Sequence, residues 1–541
     1  MAAAAEYQKL TPHIVGETIR YQKEGDFYET DGKKFFKYLF EIPSGTKEIQ
    51  ISFTYSPTHL KNLKKTKELI RAAYLEYTEG YTNEKEVDFD RLVSLCYQTE
   101  YPLSNILRLY IHTRDGENLG EWSPSSQVPS GCAWINEKGA SRGLKAVKIK
   151  PGIWRVEICV GKIITLKCHF RLEIVLLKRA VHDTSADSLY EGFRDRIKTE
   201  EPTARQPRKS GWYAGQLHVH STNSDGKNTV PELVEKFKEA GLDFFALTDH
   251  NTISGWKDIP RNDGLLVLKG IEIGALKGHG VGLGVKRQVD WKTDNGEIRD
   301  INAVIREVHE QTGLFALAHP YAIGDSVCNG CKWEYKELDY SHLDLLEVWF
   351  YPWKLRKIEA YRCFKLWNEL LNMGLRVTGI SSIDCHDVNN SFNFGPIPNI
   401  YVFVDALSEN EVIEGLKKGH VFATSGPMIS FSAHYNNKQF KCGDEIQKTT
   451  GTPVSFTVTF DKAVSGYTLK IIHNGNIDSI YNTFSSEKNT VNFTEKSVDS
   501  DLKPMTRNWY RCELYKNVED EELVCFTNPI YITSGGHEDS R

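Results

Sequence analysis

No stretch of 18 consecutive apolar residues occurs in the chain, which leaves no candidate for a membrane-spanning helix. The opening residues, MAAAAEYQKL, have neither a basic start nor a long apolar run. They do not read as a secretory signal, and the expected location is the cytoplasm. An excess of one charge is also missing. The net charge is -5 over 541 residues, too small for a general attraction to nucleic acid or anionic membrane. There is no GxSxG elbow, no P-loop and no Gly-rich dinucleotide turn, so no protein nucleophile or nucleotide cradle announces itself. The eleven cysteines are odd in number, and in a chain without a signal they read as reduced thiols. Cys328 and Cys331 form a single CxxC with no second pair nearby. They read as a Gly-containing turn carrying two thiols rather than a zinc knuckle.

What is present is a folded composition, 40% hydrophobic and 26% charged, too long for one ordinary core. Residues 1–180 alternate in the manner of short strands, as in EIQISFTY and IWRVEICV, and read as a β-sandwich. One charged, helix-favouring segment, Leu60 to Thr78, interrupts them. Residues 181–210 are charged and end in prolines, as a linker does. From 211 to 428 the rhythm changes to apolar strands separated by amphipathic helices. That rhythm predicts an α/β fold with a mainly parallel sheet, open or closed into a barrel. Residues 429–541 alternate again and read as a second sandwich.

In the central region, metal-ligating residue types stand at strand ends. LHVHSTNSDG places His218 and His220 two apart, so that both leave one face of a strand, with Asp225 shortly after. Asp249 and His250 end the next strand, and Glu272 ends the third. His279, His319, Glu347, Asp384 and His386 follow at or near later strand ends. In parallel α/β folds the C-terminal strand ends form the functional face. Each residue alone is a plain loop or capping residue. Together they would be a costly buried cluster without a cation, and His with Asp or Glu suits zinc, manganese or iron. His309, His342 and His420 stand at no strand end and are left out.

These motifs resemble those of the PHP (polymerase and histidinol phosphatase) superfamily of metallohydrolases. The residues that carry the resemblance are LHVHSTNSDG, LTDHNT, GIE with GHGVGLG, LAHP and SSIDCHD, in that order. GWYAGQLHVH, LLEVW, KLWNELLNMG and GHVFATSGP look closest to the CehA/McbA-type, carbaryl-hydrolase-like branch. Gln216 stands where relatives often have Asp, and Cys385 replaces a commoner small or hydroxyl residue between two ligands. The resemblance implies a distorted (β/α)7 barrel flanked by β-sandwiches, with two or three divalent ions at its rim. It implies as metal ligands His218, His220, Asp225, His250, Glu272, His279, His319, Asp384 and His386, with Glu272 bridging. Asp249 would orient an imidazole.

A metal-activated hydroxide would replace a protein nucleophile, with Asp384 accepting a proton from the water. The first expected activity is phosphoester hydrolysis, the commonest in the superfamily. The alternative is hydrolysis of a carboxylic ester or carbamate at the same centre. A non-catalytic carbohydrate- or partner-binding protein is the third reading, and the ligand set argues against it. Trp349, Phe350, Tyr351 and Trp353 could wall an aryl pocket or pack on the next helix, while Lys354, Arg356 and Lys357 would suit phosphate. The partner expected is a small-molecule ester or phosphoester substrate, with no nucleic acid and no membrane, and the β regions are candidates for oligomer contact.

Overall fold

The computed structural model describes residues 7–79, 103–123, 132–182, 210–260, 264–293, 298–350, 353–391, 396–449, 452–462, 464–482, 484, 489–495, 507–516 and 521–534. The 181–210 linker and Tyr351 lie almost wholly or wholly outside these residues, as does the side chain of Lys354. Among the described residues no helix is long and apolar enough to cross a membrane.

The N-terminal strands form two five-stranded sheets. One contains Lys34–Ile42, Gly152–Lys162, Ile106–His112 and Asn118–Trp122; the other contains Thr18–Phe27, Cys168–Leu177, Glu48–Ser56 and Cys132–Asn136. Alternate residues, among them Phe40, Ile51, Phe53, Leu109, Trp122 and Trp154, fill the space between the sheets, as period-two patterning requires. The charged segment is a helix, Leu63–Thr78, capped by Asn62, whose side chain accepts from Lys65 N.

The central region is mixed α/β. Its elements are β1 (Gly211–Val219), α1 (Val230–Glu239), β2 (Phe244–Leu247), β3 (Leu266–Ala275), β4 (Gly278–Leu283), α2 (Ile301–Glu310), β5 (Leu314–Leu317), β6 (Leu345–Phe350), α3 (Trp353–Asn372), β7 (Thr378–Ser382), β8 (Asn399–Val404), α4 (Glu409–Lys418) and β9 (Val421–Thr424). Local sequence explains α1. Thr229 and Glu232 make a reciprocal capping box, Pro231 sits in the first turn, and Leu233, Val234 and Phe237 are buried on one stripe. Every residue of β2, β5 and β6 is buried, as expected for strands covered on both faces.

The sheet order is β7-β6-β5-β4-β3-β2-β1-β8-β9. Pairs β1–β2, β2–β3, β5–β6 and β6–β7 are parallel. The regular strand–helix alternation fails at one place. β3 and β4 form a hairpin through Leu276 and Lys277, and β4 runs antiparallel to both neighbours. The ends of the β1–β7 run also meet. His220 N donates to Cys385 O at 2.8 Å, and Cys385 N donates to His218 O at 3.1 Å.

β9 pairs antiparallel with Glu522–Thr527, so the central sheet continues into Asn508–Lys516, Tyr467–His473 and Asn476–Tyr481. Against one face of this extension packs a four-stranded sheet, through Phe431, Phe456, Leu469, Tyr510 and Leu514. Against the other lies α3, with Phe364 and Trp367 on Phe526. Burying each such aromatic stabilises by about 2–3 kcal/mol.

One expectation about thiols is corrected. Cys328 and Cys331 are joined as a disulfide, not held as two reduced thiols in a turn. Their three-residue separation brings the side chains together locally. The other described cysteines are free.

Candidate metal centre

β1 ends with His218 and His220 on one side and Val219 on the other, buried among Leu247, Phe245 and Ile383. The chain then turns sharply. Asp249 organises this turn by accepting from Ser221 N at 2.8 Å, Ser221 Oγ at 2.8 Å and Ser224 Oγ at 2.7 Å. Gly226 closes it, and a Cβ there would meet His220 O at 2.4 Å, so the turn requires glycine. The result aims Asp225 back toward the strand end. Its Oδ1 lies 3.7 Å from His220 Nδ1 and 3.3 Å from His386 Nε2, and its Oδ2 lies 3.6 Å from His250 Nε2.

Glu272, on β3, is the centre of the cluster. Its Oε2 lies 3.0 Å from His218 Nε2, 3.1 Å from His220 Nε2 and 3.0 Å from His250 Nδ1. Its Oε1 lies 2.9 Å from His279 Nδ1 and 3.4 Å from His319 Nε2. Asp384 Oδ1 lies 2.9 Å from His220 Nε2 and 3.3 Å from His218 Nε2. All nine sequence-predicted ligands are therefore brought together. Eight fall into three overlapping sets of atoms within 4.8 Å of one another: His220, Asp225, His250 and His386; His218, His220, Glu272 and Asp384; and His250, Glu272 and His279. His319 stands outside those sets and reaches the cluster through Glu272 and through ring contacts with His218 and His279.

The distances are short, yet the hydrogen bonds are missing. His218 Nε2, His220 Nε2, His279 Nε2, both Glu272 oxygens and Asp384 Oδ1 are buried with no hydrogen-bond partner. Buried polar atoms in folded proteins are nearly always satisfied, because leaving one bare costs ~1–3 kcal/mol. So many bare donor atoms at one place fit divalent cations, whose charge and vacant coordination positions would satisfy them together.

Electrostatics favour ionised carboxylates and a neutral His250. At His218 and His386 burial opposes the charged ring, but Glu272, Asp384 and Asp225 hold both well above the usual imidazole value, so a cation would have to displace their protons. Burial opposes ionisation of Glu272, but the surrounding His218, His250 and His279 hold its carboxyl well below the usual range. Asp384 is likewise held well below, against burial, by His386, His218 and His220. Burial pushes His250 down to about 3, only partly offset by Glu272 and Asp225, so its ring stays neutral with a lone pair to give.

Outer contacts fix the ligands. Glu347 Oε1 lies 2.9 Å from His218 Nδ1, and Glu347 Oε2 accepts from His319 N at 2.8 Å. A carboxylate behind an imidazole sets its tautomer and orientation. Sequence reasoning had placed Glu347 near the rim but not in this part; its signal was its strand-end position. Asp249, expected to orient an imidazole directly, bonds none among the described residues. It acts on the turn instead, with Ser224 Oγ standing 3.4 Å from His220 Nδ1. His319 and Asp384 have φ of 27° and 45°. Such left-handed conformations are strained for these residues and persist where the surroundings impose them.

Cys385 faces away from its neighbours Asp384 and His386. It is buried in an apolar cluster, with Sγ 3.6 Å from Ser391 Oγ and its thiol pushed by burial up to about 12. The excluded histidines have other partners: His309 meets Asp344 at 2.7 Å, His420 meets Asp444 at 2.8 Å, and His342 lies 3.8 Å from Asp339. Of the proposed aryl wall, Trp349 and Trp353 are core residues, packed on Phe526 and Tyr515. Phe350 is the member near the cluster, with its ring 5.2 Å from that of His319. Arg356 is engaged by Glu359 at 2.8 Å, and Lys357 lies over Tyr361.

Comparison with known proteins adds to this geometry. Residues 216–346 match the PHP domain, a span that holds all the proposed ligands except Asp384 and His386. A phosphoribosyl 1,2-cyclic phosphate 1,2-diphosphodiesterase of Eggerthella lenta is 37% identical over 79 residues. That match covers 13% of this chain and 30% of the enzyme's length. An uncharacterized protein of Methanocaldococcus jannaschii is 30% identical over 130 residues, covering 20% of this chain and 72% of that protein. A crystal structure of a two-domain Bacteroides vulgatus protein containing a predicted PHP-like metal-dependent phosphoesterase is 16% identical, with a TM-score of 0.33. It covers 61% of this chain and 98% of its own. The region that gathers these histidines and carboxylates at one rim is thus the one that carries a PHP domain, residues 216–346.

Proposed function

We propose that the protein is a metal-dependent phosphoester hydrolase of two or three zinc, manganese or iron ions. The observation that carries this is the set of buried imidazole and carboxylate atoms with no hydrogen bonds, converging on Glu272. His218, His220, Asp225, His250, Glu272, His279, His319, Asp384 and His386 would hold the ions, with Glu272 shared between them. When bound, such ions acidify a coordinated water and polarise a phosphoryl group. The chain's own contribution is positional. Glu347 keeps His218 turned inward, and the Asp249 turn keeps His220 and Asp225 facing each other. Asp384, held ionised beside His218 and His220, is the group placed to take a proton from the attacking water.

Two further points belong to this reading. The β1–β7 run is a distorted barrel whose seam is the Cys385 contact, flanked by a β domain within residues 1–180 and by C-terminal strands within 429–541 that extend its sheet. Of the aromatic residues offered for a carbamate or aryl-ester pocket, Trp349 and Trp353 pack in the core, and Phe350 is the described member beside the cluster. The test is metal analysis with assays of nitrophenyl phosphate mono- and diesters beside aryl esters and N-methylcarbamates. Chelation should abolish phosphoester cleavage and added metal restore it. Asp384→Asn should lower kcat by roughly 10²–10⁴-fold, the usual worth of a positioned proton acceptor. A chelator-insensitive phosphoesterase, or turnover of neutral esters alone, contradicts the proposal.

A further inference from the structure

The cluster opens onto a cavity of about 210 Å³ that is built by two regions of the chain. Ser224, Asp225 and His250 line it from the central region. The rest of its lining comes from the N-terminal strands, with Arg108 and Glu121 as the charged members. Arg108 lies on Ile106–His112 and Glu121 on the neighbouring Asn118–Trp122.

The pair is braced against the metal rim. Arg108 Nε lies 3.1 Å from Glu121 Oε1, and both side chains are largely buried, at 16% and 10% exposure. Glu121 Oε2 accepts from Tyr110 OH and, at 2.9 Å, from Asn251 Nδ2. Asn251 is the residue after His250 and sits in the left-handed region with φ 51°. A second contact locks the same two regions. Gly143 N donates to Ser254 Oγ at 3.0 Å, and Thr252 Oγ1 donates to Gly143 O at 3.0 Å. Gly143 has φ 82°, and a Cβ there would meet Glu121 O at 2.3 Å. The Glu121 strand therefore cannot drift away from the rim.

Glu121 meets the guanidinium at Nε. Arg108 also lines the cavity beside Asp225 and His250. Arg108 is also near enough to bias Asp225 and His279 electrostatically. A largely buried guanidinium, held at Nε by a carboxylate and lining a cavity beside metal ligands, suits an oxyanion, which a guanidinium can grip with two parallel hydrogen bonds.

We propose that Arg108 is a substrate-binding residue lent to the site by the N-terminal β region. It binds the non-bridging oxygens of the substrate's phosphoryl group, with Glu121 as the residue that positions it. The proposal rests on the phosphoester reading above. It makes the N-terminal strands part of the substrate pocket rather than an appended module.

The test uses the full-length, metal-loaded protein, with inorganic phosphate as the probe. Arg108→Met should weaken phosphate binding, read by calorimetry and by competitive inhibition, roughly 10- to 100-fold, the range for losing charge-assisted hydrogen bonds. KM for a nitrophenyl phosphomonoester should rise by a similar factor, with metal content unchanged. Arg108→Lys, which keeps the charge but not the fork, should fall between, and it serves as the second variant if Arg108→Met does not fold. Glu121→Gln separates binding from mere pairing. If Arg108 serves only to neutralise Glu121, the penalty of Arg108→Met disappears in the Glu121→Gln background. If it binds phosphate, the penalty persists there. Unchanged phosphate binding in Arg108→Met or Arg108→Lys, in an enzyme that still cleaves phosphoesters, overturns the role of Arg108 alone. A wild-type, metal-loaded enzyme that neither binds phosphate nor cleaves phosphoesters overturns the phosphoester reading itself.

Discussion

The N-terminal strands touch the central region through side chains at the rim of the site, whereas the C-terminal strands join it as an extension of its sheet. The first junction joins polar contacts at the rim, Glu121 with Asn251, Gly143 with Thr252 and Ser254, and Asn118 Nδ2 with Asp290 Oδ1 at 2.8 Å, to an apolar seam in which Phe35 and Tyr110 pack on Trp291. The second is the ladder between β9 and Glu522–Thr527, reinforced by Asn528, whose side chain bonds Gly379 N, Gly379 O and Val421 O. The first therefore bears on substrate, and the second on the frame that carries β7 and β9. Each junction has a buried charge, and changing those charges tests the difference.

The largest effect is expected at Lys292. Its ammonium, from the central region, ion-pairs with Glu157 of the N-terminal sheet, stands 3.0 Å from His112 Nε2 and lies 4.1 Å over the Tyr110 ring. Both charged side chains are essentially inaccessible. Lys292→Met should cost about 3–5 kcal/mol, because removing one partner strands the other charge. Arg155 Nε, 2.8 Å from Glu157, and His112 soften the loss. His112 is held below its usual value mainly by burial, with Lys292 adding to the effect. Without Lys292 it can protonate and take over the pairing, so the variant should be less destabilised at pH 5.5 than at pH 8. Hydrogen exchange should quicken in Gly152–Lys162 and Ile106–His112. KM for a phosphomonoester should also rise, since Arg108 is on the second of these strands. A variant destabilised in those strands with unaltered KM would sever the N-terminal junction from the site.

The next effect is acid lability at the same junction. Burial would raise the Glu157 carboxyl, but His112, Lys292 and Arg155 bring it from 4.5 to about 2. A lowered carboxyl contributes stability that is complete above its unfolded value and lost as pH falls through its folded one. The contribution is about 3 kcal/mol at neutral pH. Wild type should exceed Glu157→Gln by about that amount at pH 7, and the gap should close between pH 4.5 and about 2. A gap that widens on acidification means the pairing is not what Glu157 contributes. Denaturant titration at several pH values measures it.

The junctions also mark where sequence was readable. His218 and His220 were legible because period-two geometry decides which side chains leave one face, and the ordered motifs placed the other ligands. The cap of α1 and the helix Leu63–Thr78 were legible for the same local reasons. Arg108 and Glu121 were not. They lie more than a hundred residues before the motifs they meet, and nothing in LRLY or GEW says which surface will cover them. The aromatic run after Glu347 was ambiguous because a strand end at a rim and a helix start over a core have the same composition. Only the position of Phe526 behind it decides for the core. The β3–β4 hairpin broke the expected alternation because the chain reverses in two residues, Leu276 and Lys277, and GHGVGL follows at once as a strand with no helix between.

The smallest effect is expected at the C-terminal junction, from Arg511. Its guanidinium lies 4.6 Å from the Trp367 ring and 5.3 Å from those of Trp509 and Phe364, and it donates to Asn368 Oδ1 and Glu513 Oε1. Arg511→Met keeps much of the stem's packing and loses those hydrogen bonds. Glu513 keeps the Tyr515 hydroxyl, 2.8 Å from its Oε2. The expected cost is about 2 kcal/mol, seen as faster exchange in Asn508–Lys516 and its neighbour Tyr467–His473. KM and phosphate inhibition should stay within about twofold of wild type, because no residue of this junction lines the cavity at Asp225. Should Arg511→Met raise KM as Lys292→Met is expected to, the sheet itself transmits strain from Phe526 through α3 to the rim. The two β regions would then act on the site alike, one by contact and the other through the frame.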